Sequence, residues 1–136
     1  MQKFETETEL EVPFHDVDMM AVAWHGHYAK YLEIARGDLL DSFDYNYSQM
    51  RESGFAWPII EYHVRFPHPL TYGQRIVVRS TLDEYEFRLK IRYLIMDKES
   101  GKRLTKAYTT QVAVELRTKK MCLASPRVLL DKLGVH

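Results

Sequence analysis

Two side chains near the start of the chain have types and spacing that suit acid–base chemistry. Asp18 lies seven residues before His25, and His25 lies where an apolar pattern of helical spacing begins. A carboxylate can act as a general base that accepts a proton from a water molecule. The first backbone N–H groups of a helix have no partner within the helix, so they can polarise a carbonyl oxygen. This pair at a helix start therefore predicts a site for chemistry at a carbonyl carbon.

Each of these residues also has a structural interpretation. An aspartate in a loop often caps the following helix or closes an Asx-turn, and Asp18 fits that description. His25 fits a polar residue that ends the loop. His-x-His occurs at zinc sites, so Asp16, Asp18, His25 and His27 are also candidate metal ligands. No cysteine or glutamate cluster with ligand spacing accompanies them, and the sequence therefore predicts no metal and no cofactor.

The elements that must position this site can be predicted from apolar spacing. Residues 4–12 alternate apolar or threonine side chains with glutamates, as a half-buried strand does. Residues 27–43 predict a long helix, whose apolar stripe consists of Tyr28, Tyr31, Leu32, Ala35, Leu39 and Phe43. A shorter helix is predicted over 48–54, with Ser48 as its N-cap and Gly54 just beyond its end.

The second half of the chain predicts strands and a final helix. Period-two alternation runs through 57–66, 74–82, 84–96 and 103–117. The apolar face expected for the third of these strands is Phe87, Leu89, Ile91, Tyr93 and Ile95. Short side chains on one face of the last strand predict close packing, such as a partner would supply. Ser125 as N-cap, Pro126 and Gly134 bound the final helix. Strands grouped after one long helix predict an α+β domain rather than alternating βαβ units.

The segment from Phe14 to Tyr28 resembles the signature of the hot-dog-fold acyl-CoA thioesterases of the 4-hydroxybenzoyl-CoA thioesterase type. That signature has Asp-x-Asp, a small residue, an aromatic residue or histidine, and then Asn-Tyr at the helix start. The matching positions are Asp16, Asp18, Ala21, Val22, His25 and Tyr28, followed by Tyr31, Leu32, Glu33, Ala35 and Arg36. The resemblance extends over about 9–116. Ala21 replaces the usual glycine, and Phe14 stands where several relatives have tyrosine.

The resemblance implies a five-stranded antiparallel sheet wrapped around the long helix, and an enzyme that hydrolyses acyl-CoA thioesters. It implies that Asp18 is the general base or the nucleophile, and that Asp16 shapes the loop. His25 would orient Asp18 or the water, while its N–H binds the carbonyl oxygen. Relatives join two sheets edge to edge, so a homodimer or homotetramer with the active site at the dimer interface is expected. The alternatives are a thioesterase acting on acyl carrier protein and a non-catalytic acyl-thioester binding module.

Five further residues are candidates for substrate binding. Tyr28 is expected either in the wall of the acyl channel or in the core. Arg65, Arg88, Lys90 and Arg92 are candidates for contact with the phosphates of coenzyme A. The last three alternate along one predicted strand, and such a row is also typical of a solvated strand face.

Composition limits the class of protein. The 136 residues predict one domain over 1–136, and the 19 basic residues balance the 19 acidic ones. A nucleic-acid-binding protein usually has a basic excess, so that class is disfavoured. The sequence has no apolar run long enough to span a membrane. Its only cysteine, Cys122, cannot form an internal disulfide, so a cytoplasmic location is expected.

Overall fold

The computed structural model describes residues 4–13, 27–65 and 68–135 of the chain. Its strands are β1 (Glu5–Glu11), β2 (Phe55–Ala56), β3 (Ile59–Arg65), β4 (Arg75–Glu84), β5 (Leu89–Asp97), β6 (Arg103–Gln111) and β7 (Val114–Glu115). Five of them form one antiparallel sheet in the order β1–β4–β5–β6–β3, while β2 pairs with β7. The predicted α+β class with a five-stranded antiparallel sheet is confirmed.

Helix α1 (Tyr28–Asp41) is the long helix of the fold, and it contacts β1 and β4. Its buried side chains are Tyr28, Tyr31, Leu32, Ala35, Leu39 and Leu40, which confirms the predicted stripe. The helix ends two residues before the predicted boundary at residue 43. The Tyr45 N–H donates to the Leu40 carbonyl at 3.0 Å, and Asp44 between them has a left-handed φ of 57°, so the chain turns away.

The inner face of the sheet shows where the prediction for the third strand holds and where it is wrong. Leu89, Ile91, Tyr93 and Ile95 are buried as expected. Phe87 is 68% exposed, because residues 85–88 form the turn between β4 and β5 instead of continuing the strand.

The short side chains of β6 are closely packed, as predicted, and residues of the same protomer supply that packing. Thr105, Ala107 and Thr109 are buried beside the inward residues of β5, and the Tyr93 and Thr109 hydroxyls are hydrogen-bonded at 2.9 Å. The Arg36 side chain of α1 also interacts with the Tyr93 hydroxyl. Small side chains on β6 therefore leave room for Tyr93 under the helix.

Helix α2 (Tyr47–Glu52) begins at a capping box, and its N-cap residue lies two residues before the predicted one. The Asn46 side chain accepts from the Gln49 N–H at 3.0 Å, and the Gln49 side chain accepts from the Asn46 N–H at 2.8 Å. These reciprocal bonds satisfy two end groups at once, so Asn46 is the N-cap in place of Ser48.

Helix α3 (Arg127–Leu133) begins one residue later than predicted, with Pro126 at the N-cap position in place of Ser125. The Ser125 N–H instead donates to the Glu86 carbonyl at 2.8 Å. Gly134 follows the helix with φ 72°, which confirms it as the residue that ends the helix. None of the three described helices is long and apolar enough to span a bilayer.

Candidate active site

The start of α1 is the most polarising feature of the predicted site. His27 occupies the N-cap position with φ −80° and ψ −15°, and its side chain makes no capping hydrogen bond. The first turn contains no acidic side chain. A helix of this length carries a partial positive charge of roughly half a unit at its N-terminus. In the described part of the chain, no carboxylate of the first turn offsets that charge, so this end suits an oxygen that becomes negative.

Tyr28 fixes the position of the helix start. Its side chain is 2% exposed, and its hydroxyl accepts a hydrogen bond from the Leu70 N–H at 3.2 Å. Burial raises the pKa of the Tyr28 hydroxyl, so the neutral form is favoured. Of the two expectations for Tyr28, the structure places it in the core. Its bond to Leu70 ties α1 to the connection between β3 and β4.

The two predicted catalytic side chains, Asp18 and His25, lie outside the described residues, as do Asp16 and Phe14. Along the chain, His25 precedes the N-cap position by two residues and Asp18 precedes it by nine. Their catalytic roles stay predictions. No group of three possible metal-ligating side chains occurs within the described ranges.

Two of the four predicted phosphate-binding cations, Arg65 and Arg92, line a cavity of about 430 Å3 on the outer face of the sheet. We call this cavity, lined also by Lys106, Tyr108 and His63, the basic groove. It is assembled by strand register, since Lys106 lies opposite Arg65, and Tyr108 lies between His63 and Arg92.

The charges in the basic groove are only partly neutralised. Arg92 pairs with Asp83 at 3.2 Å, and Arg79, at the other side of the groove, pairs with Glu7 at 3.1 Å. By contrast, neither Arg65 nor Lys106 forms an ion pair with another described residue. These two cations face the groove from neighbouring strands, so the groove can accept an anionic group.

The other two predicted cations, Arg88 and Lys90, are held by acidic side chains. Arg88 lies in the turn before β5, not on the strand, and its Nε is 3.2 Å from Glu84. The Lys90 ammonium is 3.8 Å from Asp83, 3.7 Å from Glu84 and 4.6 Å from the centre of the Tyr108 ring. Of the four predicted cations, Arg65 and Arg92 therefore line the groove, whereas Arg88 and Lys90 do not.

Sequence reasoning missed Lys106 as a member of this groove. The signal was present, because Lys106 and Tyr108 alternate with the short buried side chains of β6 and must therefore lie on the opposite face. What the pattern could not supply was the neighbouring strand, which brings Arg65 beside Lys106.

A second, more apolar cavity of about 610 Å3 lies beside α1. It is partly open and is lined by Gly37 and Leu40 of α1, Met50 of α2, Phe55 and Trp57 around β2, Ile59 of the edge strand β3, and Gln111 at the end of β6. Apolar spacing in the sequence did not indicate Gly37 as a lining residue, because a glycine has no side chain that could enter an apolar pattern.

Comparison with known proteins identifies the family of the chain. The thioesterase-like superfamily matches residues 12–131. A Bacillus subtilis protein provisionally named as an acyl-CoA thioesterase, YneP, is 27% identical over 108 residues, which cover 79% of this chain and 78% of that protein.

Two solved structures share the fold. The DHNA-CoA thioesterase of Staphylococcus aureus is 26% identical with a TM-score of 0.80, covering 88% of this chain and 80% of its own. The 1,4-dihydroxy-2-naphthoyl-CoA thioesterase of Synechocystis, Slr0204, has a TM-score of 0.84 at 23% identity and covers 96% of both chains.

The chain therefore belongs to the thioesterase-like superfamily, and it is a thioester hydrolase with a hot-dog fold. The resemblance seen around the Asp-x-Asp segment is confirmed, and the reading of the chain as an enzyme is preferred over a non-catalytic binding module.

Proposed function

We propose that the protein hydrolyses acyl-CoA thioesters, with Asp18 acting on water or on the thioester carbon and the start of α1 polarising the carbonyl. The observation that carries this proposal is the N-terminus of α1, where the His27 side chain forms no cap and the first turn has no carboxylate. A thioester oxygen placed there would gain negative charge as the carbonyl is attacked. Backbone donors and the helix dipole stabilise that charge more than they stabilise the ground state.

The chemistry needs little else from the protein. A carboxylate has a low intrinsic pKa, so Asp18 would be ionised at neutral pH without a partner base. The thiolate leaving group needs little protonation near neutral pH, so one base and one carbonyl-binding site suffice. His25 would orient Asp18 or the water, and its own N–H would add a donor. Removing one such donor typically costs about 3 kcal/mol of transition-state stabilisation.

The basic groove supports coenzyme A as the carrier. Arg65 ends β3 and Lys106 lies near the start of β6, at the same end of the sheet as the connection that binds Tyr28. Within that connection the His68 N–H donates to the Leu104 carbonyl at 3.4 Å. Phosphates bound by Arg65, Arg92 and Lys106 would thus lie on the outer face beside the helix start. Charge-assisted hydrogen bonds to phosphate are stronger than neutral ones.

Strand β3 supports a homodimer. It is an edge of the described sheet, and Ile59, Ile60 and Tyr62 are 41%, 58% and 44% exposed. An exposed edge strand with large apolar side chains is a template for pairing with another strand. Pairing of β3 with β3 of a second copy would join the two sheets and bring the partner's edge near α1, and tetramers could form from such dimers.

The central test replaces Asp18. The Asp18→Asn variant should keep the melting temperature of the wild type and lose roughly 100-fold or more in thiol release from acyl-CoA, the usual worth of a general base. The Asp16→Asn variant is the matched control, since it removes a carboxylate two residues away that shapes the loop. Asp18→Asn turnover close to wild type would refute the assignment.

Isotope labelling separates the two roles of Asp18. In a single turnover in heavy-oxygen water, label in the Asp18 carboxylate identifies a nucleophile whose mixed anhydride water opens at the Asp18 carbonyl, whereas a general base leaves the label in the released acid alone.

A thioester of acyl carrier protein is the second candidate substrate, and the same groove favours it. Arg65 and Lys106, which form no ion pair with a described residue, would also attract the acidic surface of a carrier protein. Rates on matched acyl-CoA and acyl-carrier substrates distinguish the two, because a carrier enzyme loses most of its rate when the carrier domain is absent. A cytoplasmic location stays a prediction.

A further inference from the structure

The apolar cavity beside α1 has the dimensions of a ligand site. Its volume of about 610 Å3 lies within the range of roughly 300–1,000 Å3 that is typical of small-molecule pockets. Leu40, Met50, Phe55 and Trp57 provide apolar walls. Of the charged residues in its lining, Glu33 and Arg51 are exposed, whereas Arg36 is half-buried and interacts with the Tyr93 hydroxyl.

Gly37 has no structural reason to be glycine. It lies inside α1, where glycine is less favourable than alanine, and its φ is not in the left-handed region. A Cβ added at this position would meet no atom within 4 Å, so close packing does not require its absence. Because Gly37 lines the cavity, the missing side chain widens the cavity itself.

Gln111 forms a polar part of the cavity wall. It lines the cavity and is 4% exposed, and its Nε2 donates to the Trp57 carbonyl at 2.8 Å. That bond fixes the orientation of the amide, because the reversed amide would set two oxygens against each other. The Gln111 Oε1 is then buried without a donor in the described part of the chain. A hydrocarbon chain offers this oxygen no donor, so Gln111 sets a polar boundary to the apolar space.

The cavity lies at a definite distance from the predicted reaction centre. Gly37 is nine residues and Leu40 twelve residues beyond Tyr28, which corresponds to about 14 and 18 Å along the helix axis. A staggered carbon chain advances about 1.3 Å per carbon, so roughly ten to fourteen carbons reach from the helix start into the cavity. A single aromatic ring on the carbonyl would end well short of Gly37.

We propose that this cavity binds the distal part of an unbranched aliphatic acyl chain of about ten to fourteen carbons, and that Gly37 keeps the space open. This inference rests on the proposed thioesterase function and adds the substrate class. The chain would run along α1 from the carbonyl site towards Leu40. Gln111 would mark the far end, where the chain terminus meets a polar wall.

A series of butanoyl-, octanoyl-, dodecanoyl- and hexadecanoyl-CoA tests the substrate class in the wild type. The kcat/KM for dodecanoyl-CoA should exceed that for butanoyl-CoA by roughly 100-fold or more, because each buried methylene contributes up to about fourfold. It should fall again for hexadecanoyl-CoA. A rate that is flat or declines beyond butanoyl-CoA overturns the inference.

The Gly37→Leu variant tests whether Gly37 keeps the cavity open for the acyl chain. The added side chain enters the cavity, and the ratio of kcat/KM for dodecanoyl-CoA to that for butanoyl-CoA should fall at least roughly tenfold. Gly37→Ala should lower the ratio by less. The matched control is Glu52→Leu, which adds the same side chain on α2 at an exposed position outside the cavity lining, and its ratio should equal that of the wild type. A folded Gly37→Leu protein with the wild-type ratio contradicts the proposal.

The binding affinity of analogues that cannot be hydrolysed tests this inference independently of the proposed hydrolysis. S-dodecyl-CoA and S-butyl-CoA are thioethers that no hydrolase cleaves, so their affinities report the cavity even if no thioester is hydrolysed. Tighter binding of S-dodecyl-CoA by at least roughly tenfold, lost in Gly37→Leu, supports the cavity assignment whatever the activity. Equal affinity for the two thioethers, or a preference that Gly37→Leu leaves intact, overturns it. Failure of Asp18→Asn to reduce turnover would overturn the catalytic assignment alone.

Discussion

The two edges of the sheet expose opposite kinds of side chain. Strand β1 presents Glu5, Glu7 and Glu9 on its outer face, where Arg75, Arg79 and Lys98 pair with them. Strand β3 instead exposes large apolar side chains, and Ile60 is the extra residue of a β-bulge between Ile59 and Glu61. Both edges leave backbone groups of an outer strand available, yet only β3 surrounds them with apolar surface.

This difference bears on the proposed dimer. Charged side chains on an edge strand discourage pairing with another chain, whereas an apolar edge invites it. An isologous dimer needs one self-complementary surface, and a chain with two open edges would risk polymerising. The acidic edge at β1 and the apolar edge at β3 therefore favour a closed dimer through β3. The following predictions test that contrast, from the largest expected effect to the smallest.

Ile60→Lys should separate the protomers. In a two-fold interface a residue near the axis faces its own copy, so the substitution sets like charges close together. Such a juxtaposition costs several kcal/mol, which raises the dimer dissociation constant roughly 100-fold or more. Analytical ultracentrifugation should show monomers, and thiol release should fall with them if the active site lies at the interface. Glu7→Lys on β1 is the matched control and should leave the dimer intact; dissociation by Glu7→Lys alone would reverse the assignment of the edges.

The ion pairs of the β1 edge should make the fold respond to acid. The hydrogen bond from Lys98 holds the pKa of the Glu9 carboxyl below its ordinary value of 4.5, with Arg75 adding to the effect. A carboxyl whose pKa is lowered in the folded state stabilises the fold above the unfolded pKa and loses that contribution as the pH falls through the folded pKa. The melting temperature of Glu9→Gln should therefore lie slightly below that of the wild type at neutral pH and converge with it as the pH falls through the lowered pKa of Glu9. A difference that persists in acid would contradict this account.

The smallest effect is expected at Arg79. Its ion pairs with Glu7 and Glu5 are partly exposed, so Arg79→Ala should lower the free energy of unfolding by only about 0.2–1 kcal/mol. Urea denaturation in low salt and in concentrated sodium chloride measures this, and the difference should shrink in high salt because the charges are screened. A dimer held by the apolar β3 edge should persist in the same high salt.

Local patterns predicted most of the secondary structure. The stripe of α1 and the inward face of β5 follow from side-chain periodicity, which depends only on helix and strand geometry. The errors lie at boundaries. Asn46 displaced Ser48 as a cap because Gln49 could reciprocate, and Phe87 left the predicted strand because the chain turned before β5. Such choices depend on competing partners, which a periodic pattern does not weigh.

The candidate site was predictable in part. The sequence and its resemblance to a family identified the segment with Asp18 and His25 as the candidate site. Both side chains lie outside the described residues. The grouping of Arg65 with Lys106, and the capture of Arg88 and Lys90 by Asp83 and Glu84, required strand register and a turn.

By itself, then, the sequence determined the elements, their buried faces and the family, because each depends on side chains close together in the chain or on a string of residue types that resembles a family signature. Only the tertiary structure decided which cations share a groove, which edge is open and that Gly37 and Gln111 border one cavity. Those relations join residues far apart in the chain, and packing sets their distances. A glycine in particular has no side chain to enter any pattern, so the space that it leaves is visible only when its neighbours are in place.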